Sequence, residues 1–329
     1  MGETNDGSGG TRRFLITGAL GAIGAWTMRS LLERGHDVVA FDLGDADHRL
    51  AIALDDEQRA RVTRVQGDIT DLDALERVLD EHAINSVIHL AALQVPFVRE
   101  NPVLGAHVNV TGTTNVLEAV RRRAERMGPV VYASSIAVYG PAGTLGGADV
   151  PGTLYGVFKR ANEGTAQRYF EDYGVSSTGL RPHTVFGPGR DQGVTSAPTV
   201  AMVAAAAGAS FHIPFGGRLQ LQHTADAGEA FARTALLGYE GASVHDLDGE
   251  VLAVTRLAEL IERAAPGVEI TVGSDELPLV GSVDGSGFVE LLGGSVMGPV
   301  ETRVTESVRR FEQLIERGLV QPPAPAAEG

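Results

Sequence analysis

The chain has 329 residues, 43% of them hydrophobic, with 42 glycines and a formal net charge of −15. That describes a globular α/β protein of one large or two small domains and argues against nucleic acid as a partner, because phosphate backbones need basic surface. The absence of cysteine excludes disulfides, thiol catalysis and cysteine-ligated metal.

Residues 1–11 read as a flexible tail, polar and glycine-rich at their start, without the apolar core of a secretory signal. Arg13–Thr17 is a short apolar run that predicts a buried strand. A helix follows over 22–34, with Gly35-His36 as its stop, and Asp37–Asp42 is a second strand. Val62–Gln66, 86–90, 129–133 and 175–180 are further strands. Between them, 71–82, 102–126 and Leu154–Tyr173 read as helices. The longest bland apolar stretch, 200–207, is far short of the roughly 20 residues a membrane span needs. The expectation is a cytoplasmic protein with no membrane partner. Strand and helix alternate from Phe14 to Leu180, which calls for a doubly wound parallel sheet covered on both faces. Beyond Arg181 the rhythm breaks at Gly187-Pro188-Gly189, an alanine-rich helix runs over 197–208, and shorter elements continue to Leu319. The expected division is a dinucleotide-binding domain over 12–180, to which segments around 220–255 return. A smaller substrate-binding domain takes 181–219 and 256–320, and 321–329 is a second flexible tail. Arg121, Arg122, Arg123 and Arg126 read as solvated surface complementing a helix end.

Thr17-Gly18-Ala19-Leu20-Gly21-Ala22-Ile23-Gly24 sits between the first strand and the first helix. Gly18 permits a tight turn, Gly21 lets backbone approach a pyrophosphate, and Gly24 allows close helix–strand packing. The helix N-terminus, with Leu20, Ala22 and Ile23 beside it, offers the positive end of a dipole. An acid at the end of the next strand, Asp42, can accept hydrogen bonds from a ribose 2′-hydroxyl and repel a 2′-phosphate. The pattern therefore implies a Rossmann-type site for NAD rather than NADP. Asp68 either approaches the adenine or caps the following helix. Asn109 either serves the cofactor region or satisfies a buried helix.

Lys159 is the single lysine among 27 basic residues. It lies four residues after Tyr155, so the two share a helix face. An ammonium is a compact point charge, whereas a guanidinium is a broad fork that is never deprotonated. A site that must lower a neighbouring phenol's pKa and hold a sugar hydroxyl from one small donor favours lysine.

With these residues the chain resembles the extended short-chain dehydrogenases/reductases, the NAD-dependent epimerase/dehydratase family. The family-like pieces are the glycine run above, His89-Leu90-Ala91-Ala92, Val108-Asn109-Val110-Thr111-Gly112-Thr113, Ser134-Ser135-Ile136-Ala137-Val138-Tyr139-Gly140 and Tyr155-Gly156-Val157-Phe158-Lys159. The resemblance implies that Tyr155 is the general acid/base, Lys159 its electrostatic partner and ribose ligand, and Ser135 the hydroxyl that orients substrate. It also implies cofactor contacts at Ile69, Leu90, Ala91, Ala92 and Pro182, and a homodimer built on helices 102–126 and 154–173. Ile136 and Ala137 follow Ser135 where the family's dehydratases carry an acid pair, so dehydration is not expected. Thr184 stands where sugar-nucleotide enzymes place an asparagine that grips the nucleotide, and the run Leu219–Asp226 stands where they place an arginine, with Arg218 adjacent to it.

Gln94, Ser135, Ile136, His183, Thr184, Arg190 and Gln192, with Thr195 and Ser196 nearby, are the candidates for substrate contact. Arg190 suits a carboxylate or phosphate. His183 has no second ligand at metal spacing, so no metal is expected. The expected activity is NAD-dependent oxidation of a secondary alcohol on a sugar or sugar-like polyol, with epimerisation ahead of simple dehydrogenation. A non-catalytic NAD-binding regulator is the reading from another class, and retention of the lone lysine beside Tyr155 speaks against it.

Overall fold

The computed structural model describes residues 10–140 and 150–323; most of the two expected tails lies outside the described residues. Strands β1 (Arg13–Thr17), β2 (Asp37–Asp42) and β3 (Val62–Gln66) alternate with helices α1 (Ala22–Glu33), α2 (His48–Ala53) and α3 (Asp56–Arg61). Then come α4 (Leu72–Glu81), β4 (Ser86–His89), α5 (Val95–Glu100), α6 (Pro102–Ala106) and α7 (Gly112–Arg121). β5 (Val130–Ala133), α8 (Leu154–Tyr173), β6 (Ser177–Arg181) and β7 (Thr184–Phe186) follow. The remainder comprises α9 (Ala197–Ala206), β8 (Phe211–Ile213), β9 (Arg218–His223), α10 (Thr224–Leu237), β10 (Ala242–Asp246) and β11 (Glu250–Ala253). It ends with α11 (Val254–Ala264), β12 (Ile270–Val272), α12 (Ser286–Leu292) and α13 (Val300–Glu316).

Seven parallel strands form the central sheet in the order β3-β2-β1-β4-β5-β6-β10. The order reverses between β1 and β4, and a crevice opens at such a switch point beyond the carboxyl ends of the strands. Alternation along β1 sends Phe14 and Ile16 to one face and Leu15 to the other. The first pair packs with Trp26, Met28 and Leu31 of α1 and Phe231 of α10. Leu15 joins Leu75 and Leu79 of α4 and Val116, Leu117 and Val120 of α7. Helices α1 and α10 touch closely because Gly228 has no side chain: a Cβ there would lie 2.6 Å from Trp26.

From the 220–255 stretch, β10 adds to the edge of this sheet, whereas β9 pairs with β11 on one side and β7 on the other in a separate three-stranded sheet. A further core gathers Met202, Ile213, Leu219, Leu221, Leu257, Ile261, Val304 and Phe311 around α9, α11 and α13.

Two local expectations need correction. The stretch 102–126 is not one helix: a π-helical turn over His107–Thr111 separates α6 from α7, and regular helix ends at Arg121. The backbone widens where the Asn109 carbonyl accepts bonds from Asn162 Nδ2 and Thr113 Oγ1. Helices α2 and α3, between the second and third strands, were not expected. The arginine cluster is neutralised surface: Arg121 and Arg122 pair with Glu118, and Arg123 and Arg126 with Asp80. Among the described residues no helix is long and apolar enough to cross a membrane.

Candidate functional site

A cleft of about 1060 Å³ runs along the carboxyl ends of the strands. One wall is the glycine loop. Gly18 has φ +65°, and a Cβ on it would lie 2.5 Å from the Ala91 amide nitrogen; one on Gly24 would lie 2.6 Å from the Ala19 carbonyl. Each glycine thus permits a backbone approach that any side chain would block. Gly21 begins α1 without a capping side chain, and no acid occupies the first turn. The helix N-terminus therefore meets the cleft without a carboxylate of its own, as a site for a pyrophosphate requires. Leu20, Ala22 and Ile23 line this part.

Asp42 stands at the mouth of β2, its Oδ2 accepting from the Leu20 amide at 2.9 Å and Oδ1 from Gly44 at 3.3 Å. Asp68 also lines the cleft; its Oδ1 accepts from the Thr70 amide and hydroxyl, while Asp71, not Asp68, caps α4. Ile69, Leu90, Ala91, Ala92 and Pro182 line the same space. Asn109 does not. Its amide is spent on the Leu93 backbone, Oδ1 accepting from the nitrogen at 2.7 Å and Nδ2 donating to the carbonyl at 2.9 Å. It is buried and shapes the 90–94 loop from behind, so its expected cofactor contact is withdrawn. His89 braces that loop too, held between the Thr17 and Thr113 hydroxyls at 2.7 and 3.0 Å. Burial, with the Lys159 charge, lowers its pKa to about 3, so it stays neutral.

Opposite the glycine loop stand Ser135, Tyr155 and Lys159. Ser135 follows β5 and opens a 3-10 turn over Ile136–Val138, its Oγ accepting from the Ala137 amide at 3.1 Å. Thr153 caps α8, which places Tyr155 in the first turn and Lys159 one turn on. Gly156 is what lets α8 approach, since a Cβ there would lie 2.0 Å from the Ala137 carbonyl. Burial raises the Tyr155 pKa; a hydrogen bond from Ser135 and the field of Arg190 pull the other way. Lys159 is buried, with Nζ 2.6 Å from the Ala133 carbonyl and 5.7 Å from the Tyr155 ring centroid. Burial lowers its pKa to about 8, and Glu163, a further turn along α8, opposes the fall. Glu163 is itself locked by Arg181 at 2.7 and 2.8 Å and by Ser134 at 2.5 Å.

At the other end Gln94, Ile136, His183, Thr184, Arg190, Gln192 and Thr195 line the cleft. Ser196 instead bonds the Gly193 carbonyl at the start of α9. Both His183 nitrogens are occupied: Nε2–H donates to the Val280 carbonyl at 2.7 Å, and Nδ1 accepts from the Thr184 hydroxyl at 3.1 Å. Its ring faces the cleft, but it has no free nitrogen for a ligand. Thr184 and Leu219, at the expected nucleotide-grip positions, are buried, while the adjacent Arg218 is exposed.

Three contributors were not anticipated. Arg49 of α2 bonds the Leu20 carbonyl at 3.2 Å and Asp191 at 2.6 Å, tying the glycine loop to the segment after β7. Tyr139 donates to Asp246 at 2.7 Å and accepts from Arg181 at 2.6 Å. Residues Leu277, Pro278, Leu279 and Val280 form an apolar wall. Arg49, a cation shortly after the strand-end acid, and Tyr139, inside a family-like run, have a signal in the chain; Leu277–Val280 have none.

A glycine-lined switch point with an acid at the second strand and a Ser–Tyr–Lys cluster opposite defines a dinucleotide-dependent α/β protein. The model of the NAD dependent epimerase/dehydratase family matches residues 14–233, and the chain belongs to that family, with NAD as its cofactor. UDP-glucuronate 4-epimerase 2 of Arabidopsis thaliana is 36% identical over 183 residues, 53% of this chain and 42% of the relative. The chain thus matches well under half the length of that relative. Two solved structures share the fold. The Thermus thermophilus UDP-glucose 4-epimerase complex with NAD has a TM-score of 0.76 at 23% identity, over 94% of this chain and 100% of that one. The L-threonine dehydrogenase of Cupriavidus necator has a TM-score of 0.76 at 23% identity, over 91% and 99%.

Proposed function

We propose that the protein interconverts sugar stereoisomers by NAD-dependent oxidation and re-reduction of a secondary alcohol, with Tyr155 as general acid/base. The observation that carries this is the convergence of Ser135, Tyr155 and Lys159 on one wall of a cleft whose other wall is the glycine loop and Asp42. The 36% identity to a sugar epimerase supports it. When bound, NAD supplies the hydride acceptor and then the hydride donor. Its pyrophosphate suits the open end of α1, and its adenosine ribose suits Asp42. The Tyr155 phenolate takes the substrate hydroxyl proton as the C–H bond is broken. It returns that proton when the ketone is reduced from the other face, so atoms and electrons balance over the cycle. Ser135 holds the reacting oxygen: its Oγ accepts from the Ala137 amide, and its O–H turns from Tyr155 to the substrate. A simple dehydrogenase is the second reading, favoured by the burial of Thr184 and Leu219.

Incubation with a panel of sugars, uronic acids and nucleotide sugars, following NADH and product isomers, tests the reading. Isomers without net NADH support the epimerase, and net NADH supports the dehydrogenase. Neither product sinks both readings.

Asp42→Ala should weaken NAD binding and relax discrimination against NADP, because one carboxylate serves both ribose hydroxyls. Unchanged affinity for both cofactors would remove the ribose from this position.

A homodimer through α6 and α8 is also proposed. Gly105 seats α6 on Phe158 of α8, and the outward faces expose Val103 (70%), Leu154 (48%) and Val157 (44%). An adjoining apolar set of this kind marks an interaction surface. Val103→Glu with Val157→Glu should shift the molar mass measured by light scattering from dimer to monomer. A wild type already monomeric at micromolar concentration refutes the assembly.

A further inference from the structure

We propose that the substrate is a free sugar acid or polyhydroxy acid, its carboxylate held by Arg190 beside Tyr155, and not a nucleotide-linked sugar. This rests on the proposed role of Tyr155.

Arg190 and Tyr155 line the same cleft, close enough for each to affect the other's charge. Its Nε is buried and has no hydrogen-bond partner among the described residues, and Nη1 lies 3.5 Å from Gln94 Oε1. Its neighbour Asp191 lends it some field but makes no ion pair with it, because Arg49 at 2.6 Å and His48 at 3.1 Å hold that carboxylate. Gly193 makes room for this arrangement: a Cβ there would lie 2.5 Å from Gln94 Oε1 and 2.7 Å from Arg190 Nη2. A half-buried guanidinium whose Nε is sealed from water without a partner is costly unless a ligand supplies one, and the planar fork matches a carboxylate in two parallel bonds.

The other cations of the cleft have other tasks. Among the described lining residues they are Arg49, Arg99 and Lys159. Arg49 is paired with Asp191, Lys159 donates to Ala133, and Arg99 is exposed. Among the described lining residues, Arg190 therefore remains as the half-buried cation left for the substrate, and it balances one carboxylate. A nucleotide diphosphate would bring two more negative charges into a protein whose net charge is already −15, and desolvated phosphates need donors.

The apolar wall offers none from its side chains, and it is fastened. The Gly216 amide donates to the Asp275 carbonyl at 2.8 Å, His183 Nε2 to the Val280 carbonyl at 2.7 Å, and the Val283 amide to Gln220 Oε1 at 2.8 Å. Three anchors hold Leu277–Val280 along the cleft as part of the fold. The cleft's 1060 Å³ slightly exceeds the roughly 300–1,000 Å³ usual for one ligand, which suits a dinucleotide with one small companion.

The test is calorimetric titration of the full-length protein saturated with NADH, which reads binding rather than turnover. The ligands are D-glucuronate, D-galacturonate, D-gluconate, D-erythronate, glucose, glucose 6-phosphate and UDP-glucuronate. At least one free acid should bind at least tenfold tighter than glucose and UDP-glucuronate. Arg190→Gln should lose at least tenfold of that affinity with NADH binding unchanged. The inference is overturned if no acid binds, if UDP-glucuronate or the sugar phosphate binds tighter than every acid, or if Arg190→Gln binds the acid normally. An acid that binds through Arg190 but yields neither isomer nor NADH sinks the proposed reaction and leaves this recognition standing.

Discussion

Tyr155→Phe should leave a folded protein that binds NAD nearly as wild type does and turns over about 10²–10⁴-fold more slowly, the usual contribution of a general acid/base. The ring stays, so the packing of α8 on the turn after Ser135 is kept; only the oxygen that exchanges the proton goes. The phenol is enclosed, and burial raises its pKa against the pull of Ser135 and Arg190. The bound cofactor's positive nicotinamide and the substrate's arrival must complete the descent towards neutrality. The pH profile should therefore rise from acid to neutral pH in wild type and flatten in the phenylalanine variant. The measurement is kcat against pH for both proteins, with cofactor titration as the control. Retention of more than about half the wild-type rate takes Tyr155 out of the reaction, since a lost proton-transfer group costs far more.

The sheet was legible because a strand buried on both faces must be apolar at its centre, and β1, β2 and β4 carry Phe14–Ile16, Val38–Phe41 and Val87-Ile88 between polar ends. The glycine loop and α8 were legible for a related reason. Gly18, Gly24 and Gly156 each stand where any Cβ would strike backbone within 2.7 Å, so the sequence had no choice there. Helices α2 and α3 escaped because they are six residues each, too short for a helical period to separate from a loop. Asn109 was half read: its burial was foreseen as one alternative, but its bonds run to Leu93, sixteen residues away, and sequence spacing carries no sign of that. The bonding of His183 is hidden for the same reason, because its partner Val280 lies 97 residues on. The apolar wall at Leu277–Val280 has no periodicity and acquires its place only through those distant anchors. Polar side chains with tertiary partners are thus the part of a site least visible in a chain.

Lys159→Arg should fold, keep its positive charge and lose at least about tenfold in activity, or about 1.4 kcal/mol in the transition state. Charge alone cannot explain such a loss; geometry can. Lys159 is 3% exposed, in a space that admits one ammonium between the Ala133 carbonyl and the Tyr155 ring. A guanidinium is broader and must either overpack the space or withdraw. In either case the phenol loses part of its cationic support, its pKa rises, and the acid limb of the pH–rate profile moves upward. The alkaline limb should move upward as well. Burial holds the lysine to a pKa of about 8, so wild type begins to lose this charge above that pH, whereas arginine never does. The same depression fixes the sign of a stability control. A lysine whose folded pKa lies below its unfolded value of about 10.4 makes the folded state bind fewer protons. Its cost is full below about pH 8 and is relieved as pH climbs towards 10. Lys159→Met, which removes that buried charge, should therefore melt no lower than wild type at pH 7 while activity collapses. The measurements are kcat from pH 6 to 10 for wild type and the arginine variant, and thermal melts for all three proteins. An arginine variant that matches wild type across the range would show that the protein's one lysine has no chemical reason to be there. A methionine variant that melts well below wild type would make the lysine a structural group.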